Sequence, residues 1–376
     1  MSCPGSFPGV TIPSRMRMRA DLRLSLALSV VIALATSVGL AGGFSGRLLP
    51  APVDGGFRMD GYWVWCGSVI RGEDGRYHMF ASRWPKRYPF FEGYVFYSEV
   101  VRASADRPEG PYRFEEVVLP VRGENLWDGR MTHNPTLHKS GDTFLLYYIG
   151  STYAGDAPGE EELRSGKAKL GRSYDNIRIG LATAKSVRGP WVRRDRPILE
   201  PRPGKWDGKI VTNPAACVRR DGSVLLIYRS NTPQGLRLGA ARAATFEGHY
   251  ERISDEPVLQ LPGGNFVEDP YIWDAGGHFE MVAKDMTGGI TGEKHAGVHA
   301  LSDDGLNWRP APQPKAYSRT VKWSDGAETT QGSLERPQLL FENGKPAYLF
   351  AATADGPGGF RAASNTWNLV IPLRIE

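Results

Sequence analysis

The chain has 376 residues and a formal charge of +5, from 46 Lys and Arg against 41 Asp and Glu. The balance is close and no basic helix clusters the charge, so nothing speaks for a nucleic-acid partner. Three cysteines are too few for a disulfide framework, and the length fits one large all-β unit.

In chain order, Arg15, Arg17, Arg19 and Arg23 precede an apolar run from Leu24 to Leu40, and small residues follow at Gly39 and Ala41. This pattern predicts an export signal over 1–41, cleaved after Ala41, and a secreted or periplasmic protein. The same run also suits an uncleaved N-terminal anchor, diluted by Ser25, Ser29, Thr36 and Ser37. No later stretch is apolar for long enough to span a membrane. Without residues 1–41 the charge drops to +2, since Lys and Arg fall from 46 to 42 and Asp and Glu from 41 to 40.

From residue 57 to 376 one plan repeats five times: an apolar strand, a Gly-centred hairpin, a second apolar strand. The hairpins are Glu73-Asp74-Gly75, Ser140-Gly141-Asp142, Arg220-Asp221-Gly222, Ala275-Gly276-Gly277 and Glu342-Asn343-Gly344. Four of the first strands start at a proline: Pro135, Pro214, Pro270 and Pro337. A third strand follows each of the first four hairpins, and an outer strand such as Phe114–Leu119 or Pro257-Val258-Leu259 closes the unit. The spacing predicts an all-β fold, a five-bladed β-propeller with four antiparallel strands per blade. No amphipathic helix is expected after residue 41, and Ala154 to Asp175 reads as a long mobile rim loop. Cys66 and Cys217 fall in non-adjacent blades and should be free, buried thiols.

Topology then locates a pocket. Inner strands of a propeller start near the axis at one face, and second strands end at that face. Two rings follow. The first is His133-Asn134, Thr212-Asn213, Glu268-Asp269 and Glu335-Arg336, with Cys66-Gly67 in blade one. Strand alternation predicts that one residue of each pair faces the axis. Asn134 and Asn213 also suit plain turns, but the charged pairs need a partner or a ligand. Two carboxylates as close as Glu268 and Asp269 should push one pKa up in a dry pocket. The second ring holds Arg83, Arg229 and Lys284-Asp285. Its cations suit an acidic group on a sugar, or else simply balance the first ring.

Trp127-Asp128-Gly129 and Trp206-Asp207-Gly208 each place an Asp six residues before an Asn-Pro. They read as structural turns or as site carboxylates with a stacking Trp127; Trp65 is a further stacking candidate. His295 lies in the Gly-rich run 288–297, as a ligand-facing group or a solvated loop histidine. No metal-ligand spacing is present, although His133 would suit a central cation; no cofactor is expected.

The Asx-Pro strand starts, with Ala-x-Ser/Thr leading to Gly-Pro-aromatic in the third strands, resemble the five-bladed propeller glycoside hydrolases of families 43, 117, 32 and 130. The resemblance spans residues 57–376. It implies an exo-acting glycosidase with a carbohydrate substrate, Glu268 in the position of the acid and Asp269 in a tuning position. His295 resembles the acid proposed in family 117. Family 43 takes its base from an Asp-Pro in blade one, where this chain has Cys66-Gly67; Asp60, Asp128, Asp207 or another ring position would then supply it. That departure leaves an inactive sugar-binding propeller open, beside sialidase-like and phosphorolytic readings. Nothing in the sequence sets an oligomeric state.

Overall fold

The computed structural model describes residues 43–375. The expected export signal lies outside them. Among the described residues no helix is long and apolar enough to cross a membrane.

Four blades are four-stranded antiparallel sheets whose strands pair in sequence order. Blade one is β1 (Tyr62–Arg71), β2 (Tyr77–Pro85), β3 (Glu99–Ala105) and β4 (Arg113–Leu119). Blade two is β5 (Met131–Ser140), β6 (Thr143–Ser151), β7 (Arg178–Ala184) and β8 (Val192–Arg193). Blade three is β9 (Thr212–Val218), β10 (Val224–Thr232), β11 (Gly235–Ala243) and β12 (Glu251–Arg252). Its expected outer segment, Pro257–Leu259, supplies only a bridge from Val258 to Leu238. Blade four is β13 (Val267–Asp274), β14 (Phe279–Asp285), β15 (Gly297–Ser302) and β16 (Trp308–Tyr317). A small hairpin, β17 (Thr320–Lys322) and β18 (Glu328–Thr330), leads on to blade five.

Blade five draws its fourth, outer edge from the other end of the described chain. It has three strands: β19 (Ser333–Glu342), β20 (Lys345–Ala354) and β21 (Thr366–Pro372). Its free edge is covered by the segment before β1. Phe57 exchanges backbone hydrogen bonds with Asn368, Leu49 N–H donates to the Pro372 carbonyl, and Leu48 bridges Leu373. The stretch from residue 43 to residue 57 therefore belongs to the same packed unit as the blades. Around the axis β1 touches β5, β5 touches β9, β9 touches β13, β13 touches β19, and β19 returns to β1.

Each inner strand is bulged at the same place, between Trp65 and Ser68, His133 and Thr136, Glu268 and Tyr271, and Glu335 and Gln338, with the matching slip in β9. The residue at each bulge has positive φ: Cys66 56°, Asn134 51°, Asn213 50°, Asp269 57°, Arg336 54°. This left-handed backbone costs most residues about 1–2 kcal/mol and is borne best by Asn and Asp, which hold three of the five positions.

Two insertions break the repeat. Helix α1 (Phe90–Tyr97) follows β2 and is not amphipathic, so no periodic stripe marks it. The Ala154–Asp175 stretch carries α2 (Glu160–Arg164) and α3 (Gly171–Tyr174) and packs on α1. Tyr97 donates to the Pro158 carbonyl at 2.7 Å and Ser173 to that of Val95 at 2.7 Å. The expected rim loop is thus a docked cap.

Candidate active site

The bulge decides which side chains reach the axis. Because the left-handed residue interrupts alternation, both members of each pair line one cavity of about 350 Å³: His133 and Asn134, Thr212 and Asn213, Glu268 and Asp269, Glu335 and Arg336. The one-of-each expectation is corrected accordingly.

The five bulge residues form a belt. The Cys66 thiol donates to Asn134 Oδ1 at 2.8 Å, Asn134 Nδ2 to Asn213 Oδ1 at 2.8 Å, and Asn213 Nδ2 to Asp269 Oδ1 at 2.7 Å. Arg336 Nη1 donates to the same Asp269 oxygen at 3.2 Å and lies beside the Cys66 thiol. Below the belt the hydroxyl of Thr136 donates to Gln338 Oε1 at 3.1 Å. The cavity therefore has a polar floor built from all five blades. Burial pushes the Cys66 thiol far above its ordinary range, so it serves as a neutral donor. Cys66 and Cys217 are both free and buried, as the sequence predicted.

Above the floor, three carboxylates share one ammonium. Lys284 Nζ sits 2.9 Å from Glu268 Oε2, 2.8 Å from Glu335 Oε2 and 3.4 Å from Asp269 Oδ2. Arg229 Nε approaches Glu268 Oε1 at 3.4 Å. Burial opposes charge on Lys284, but Glu268, Glu335 and Asp269 outweigh it and hold the ammonium charged. Burial also opposes charge on Asp269, and Lys284, Arg336 and Arg229 outweigh it, so its pKa is lowered. Glu335 goes the other way: burial raises it, with Lys284 pulling partly back. Asp269, in the pair where one raised carboxyl was expected, is thus lowered, because it has two cations within 3.4 Å. Glu268 is the most open of the three, its side chain 16 % exposed. Among the described residues no cluster of His, Cys, Asp and Glu is arranged to hold a metal ion; the carboxylates converge on Lys284 instead.

One wall is aromatic: Trp65, Trp84, Phe90, Phe91, Tyr94 and Tyr174, with Phe360 beside them. The His133 ring is stacked on Tyr94 at 4.7 Å and met edge-on by Trp84, and its Nδ1 shares a hydrogen bond with Ser98 Oγ at 2.7 Å. Burial drops its pKa from 6.5 to about 3. A histidine held neutral in the fold contributes stability that is present above pH 6.5 and lost as pH falls toward 3, because the unfolded chain takes up the proton first. Urea midpoints measured from pH 7 to 4 should fall, and His133→Gln should reduce the slope by up to ~1.4 kcal/mol per pH unit.

Of the sequence candidates, Glu268, Asp269, His295, His133, Asn134, Asn213, Arg229, Lys284, Glu335, Arg336 and Trp65 line this cavity. Five others do not. Arg83 points to the other side of its strand, 2.9 Å from Glu99 Oε1 and flat between Tyr62 and Phe114; the next residue, Trp84, takes the wall position. Asp285 likewise faces away from Lys284, into a loop. Asp128 is fully buried, bound by Arg122 at 2.7 Å, the Tyr148 hydroxyl at 2.6 Å and Arg193 at 3.4 Å, with Trp127 stacked on Tyr148. Asp207 repeats the arrangement with Arg202, Tyr228 and Arg252, and Trp206 stacks on Tyr228. Asp60 is exposed outside the cavity. The Trp-Asp-Gly units are therefore blade pins. Asp128→Asn should cost ~1–3 kcal/mol in unfolding free energy through its charged hydrogen bonds and leave ligand affinity unchanged by calorimetry. Sequence reasoning missed Phe90, Phe91, Tyr94 and Tyr174, which lie on the two insertions and carry no repeat signal. Trp84 lies one strand position beyond Arg83, the residue the sequence pointed to.

The fold and the cavity define a five-bladed β-propeller with an axial pocket. No family model matches the chain, and no curated protein matches it. Solved structures do. A family 117 glycoside hydrolase of the marine bacterium Zobellia galactanivorans aligns with TM-score 0.59 at 14% identity, over 87% of this chain and 89% of that one. A family 43 β-xylosidase/α-arabinofuranosidase from a compost metagenome, solved with xylotriose, aligns with TM-score 0.56 at 15% identity, over 87% and 96%. An α-L-arabinofuranosidase from Lactobacillus brevis aligns with TM-score 0.55 at 12% identity, over 88% and 94%. The chain shares the propeller fold with these proteins.

Proposed function

We propose that the chain is an exported glycosidase that removes a sugar from the end of an oligosaccharide, with Glu268 as the carboxyl that meets the substrate. The observation that carries this reading is the axial cavity itself. It is blind at the belt, aromatic on one wall for stacking on a sugar ring, and holds three carboxyl groups around one buried ammonium. A blind cavity of this size suits a chain end, and ~300–1,000 Å³ is usual for small-molecule sites.

Two carboxyl groups of different character serve glycoside hydrolysis. Glu335 is pushed toward the protonated form by burial, and Glu268 opens to the cavity. Both bond to the same Nζ, so the bonded oxygens lie within about 6 Å of each other, close enough to address one anomeric centre. The likeness to glycoside hydrolases in fold supports the same reading.

Phosphorolysis has less support, since Arg83 is turned away and Arg229 and Arg336 already face carboxylates. Sialidase-like chemistry is disfavoured on the same ground. Ser302 to Trp308 does form an Asp-centred turn, with Asp304 Oδ1 accepting from Leu306 and Asn307 N–H at 2.8 Å, but this is a strand connection away from the cavity. The second reading is a sugar-binding propeller without catalysis. It is favoured by the neutral, buried Cys66 thiol at the blade-one position. Assaying residues 42–376 on aryl glycosides and on plant and algal oligosaccharides, with calorimetric binding in parallel, separates the two. Product with any substrate supports the glycosidase; binding with no product from the whole panel overturns it in favour of the second reading.

A further inference from the structure

We propose that Asp285 is a positioning residue: its buried carboxylate folds the loop after β14 so that His295 is presented to the axial cavity. The inference rests on the reading of that cavity as the site of reaction only for its kinetic test.

Asp285 is fully buried and faces away from the cavity that its neighbour Lys284 lines. Six donors converge on it. Oδ1 accepts from the N–H of Thr287 at 3.1 Å and of Gly288 at 2.8 Å, and from the Thr287 hydroxyl at 3.2 Å. Oδ2 accepts from the N–H of Ile290 at 3.1 Å and of Thr291 at 3.0 Å, and from the Thr291 hydroxyl at 3.0 Å. The amides outweigh burial and hold the carboxyl below its ordinary range. The turn is tight enough to require Gly288, at φ 82°, where a side chain would meet the Lys294 nitrogen at 2.9 Å.

The backbone of Asp285 then closes the loop at its far end. His295 N–H donates to the Asp285 carbonyl at 2.6 Å, and Asp285 N–H to the Ala296 carbonyl at 2.8 Å. A second anchor is Glu293, which accepts from Arg319 N–H at 3.0 Å and Ser318 Oγ at 3.1 Å and pairs with Lys315. Between these anchors His295 adopts φ 67°, a left-handed conformation uncommon outside glycine and kept where the surroundings over-determine it. Its ring lines the cavity. Among the described residues neither ring nitrogen has a hydrogen-bond partner. Such construction, spent on one unpaired imidazole beside the carboxylates, is what a ligand-facing group needs. Burial, with Lys284, Lys294 and Arg319 facing the ring, lowers its pKa to about 4, and Glu268 opposes them.

The test uses full-length protein with labelled histidine. The His295 ring signal, assigned by its loss in His295→Gln, is titrated by NMR in the wild type and in Asp285→Asn. An asparagine keeps one acceptor but turns the other into a donor aimed at the Ile290 and Thr291 amides. The expected result is titration near pH 4 in the wild type and a shift of at least about one pH unit toward 6.5 in the variant, as the ring leaves its desolvated place. On a cleaved substrate, the matching limb of the kcat/KM profile moves the same way. Unchanged titration in Asp285→Asn overturns the proposal. If that variant does not fold, Thr291→Val removes one bond to Oδ2 and should give a smaller shift in the same direction; no shift there also overturns it. A shifted ring signal in a protein that cleaves nothing sinks the glycosidase reading and leaves the role of Asp285 standing.

Discussion

Lys284→Met is expected to lower unfolding free energy by about 3–5 kcal/mol, the usual result of removing one partner from a buried ionic group. Against a total of ~5–15 kcal/mol for an ordinary domain this is a large share. The methionine fills similar space, so the loss is electrostatic. Glu268, Glu335 and Asp269 lose the ammonium within 3.4 Å of each of them, and only Arg229 and Arg336 remain. The sign with pH follows. In the variant the crowded carboxylates relieve their repulsion by taking up protons, so its deficit against the wild type should shrink as pH falls from 7 to 5. Urea melts of both proteins at the two pH values measure this. A deficit that is constant with pH would mean that Lys284 acts through packing rather than charge.

Glu268→Gln is expected to lower kcat/KM by ~10²–10⁴-fold, the range for removing an acid or base from a reacting bond. Affinity for an unreactive sugar should change less than about tenfold, since the aromatic wall and the belt are untouched. The amide still accepts from Lys284 through its oxygen, while its nitrogen faces Arg229 donor to donor, so a modest loss of stability accompanies the change. Steady-state kinetics beside calorimetry separates the two effects. Retention of more than about a tenth of wild-type kcat/KM would move the chemistry away from Glu268.

Much of the fold was legible because its signals are local. Gly-centred hairpins recur in every blade and proline strand starts in four of the five, and they mark the strands before any long-range contact is known. The central charges were legible by contrast between blades: Glu268-Asp269 and Glu335-Arg336 stand where sister blades carry Asn134 and Asn213. Other parts were hidden for physical reasons. Helix α1 is rich in aromatic residues on several faces and contains Gly93, so it has neither good helix propensity nor an amphipathic stripe. Its partners lie across the chain, at Tyr153 and Leu163. Arg83 and Asp285 were misplaced because strand alternation, read without the exact register, leaves a choice of face at every strand end. Asp128 and Asp207 looked like site carboxylates because nothing local reveals that Arg193 and Arg252, far along the chain, will neutralise them.

The strip of chain that covers the open edge of blade five has a bearing on how the protein comes into being. Phe57 pairs with Asn368, Val64 N–H reaches the Thr366 hydroxyl, and Gly67 N–H reaches the Asn368 side chain. These partners are more than 300 residues apart in sequence. Blade one therefore waits, one flank bare, until β21 has been made, and the circle shuts last. Contacts of such separation slow folding and prolong exposure of unpaired strands. A chain stopped before Thr366 would hold four nearly finished blades and still present an open, adhesive arc to its neighbours.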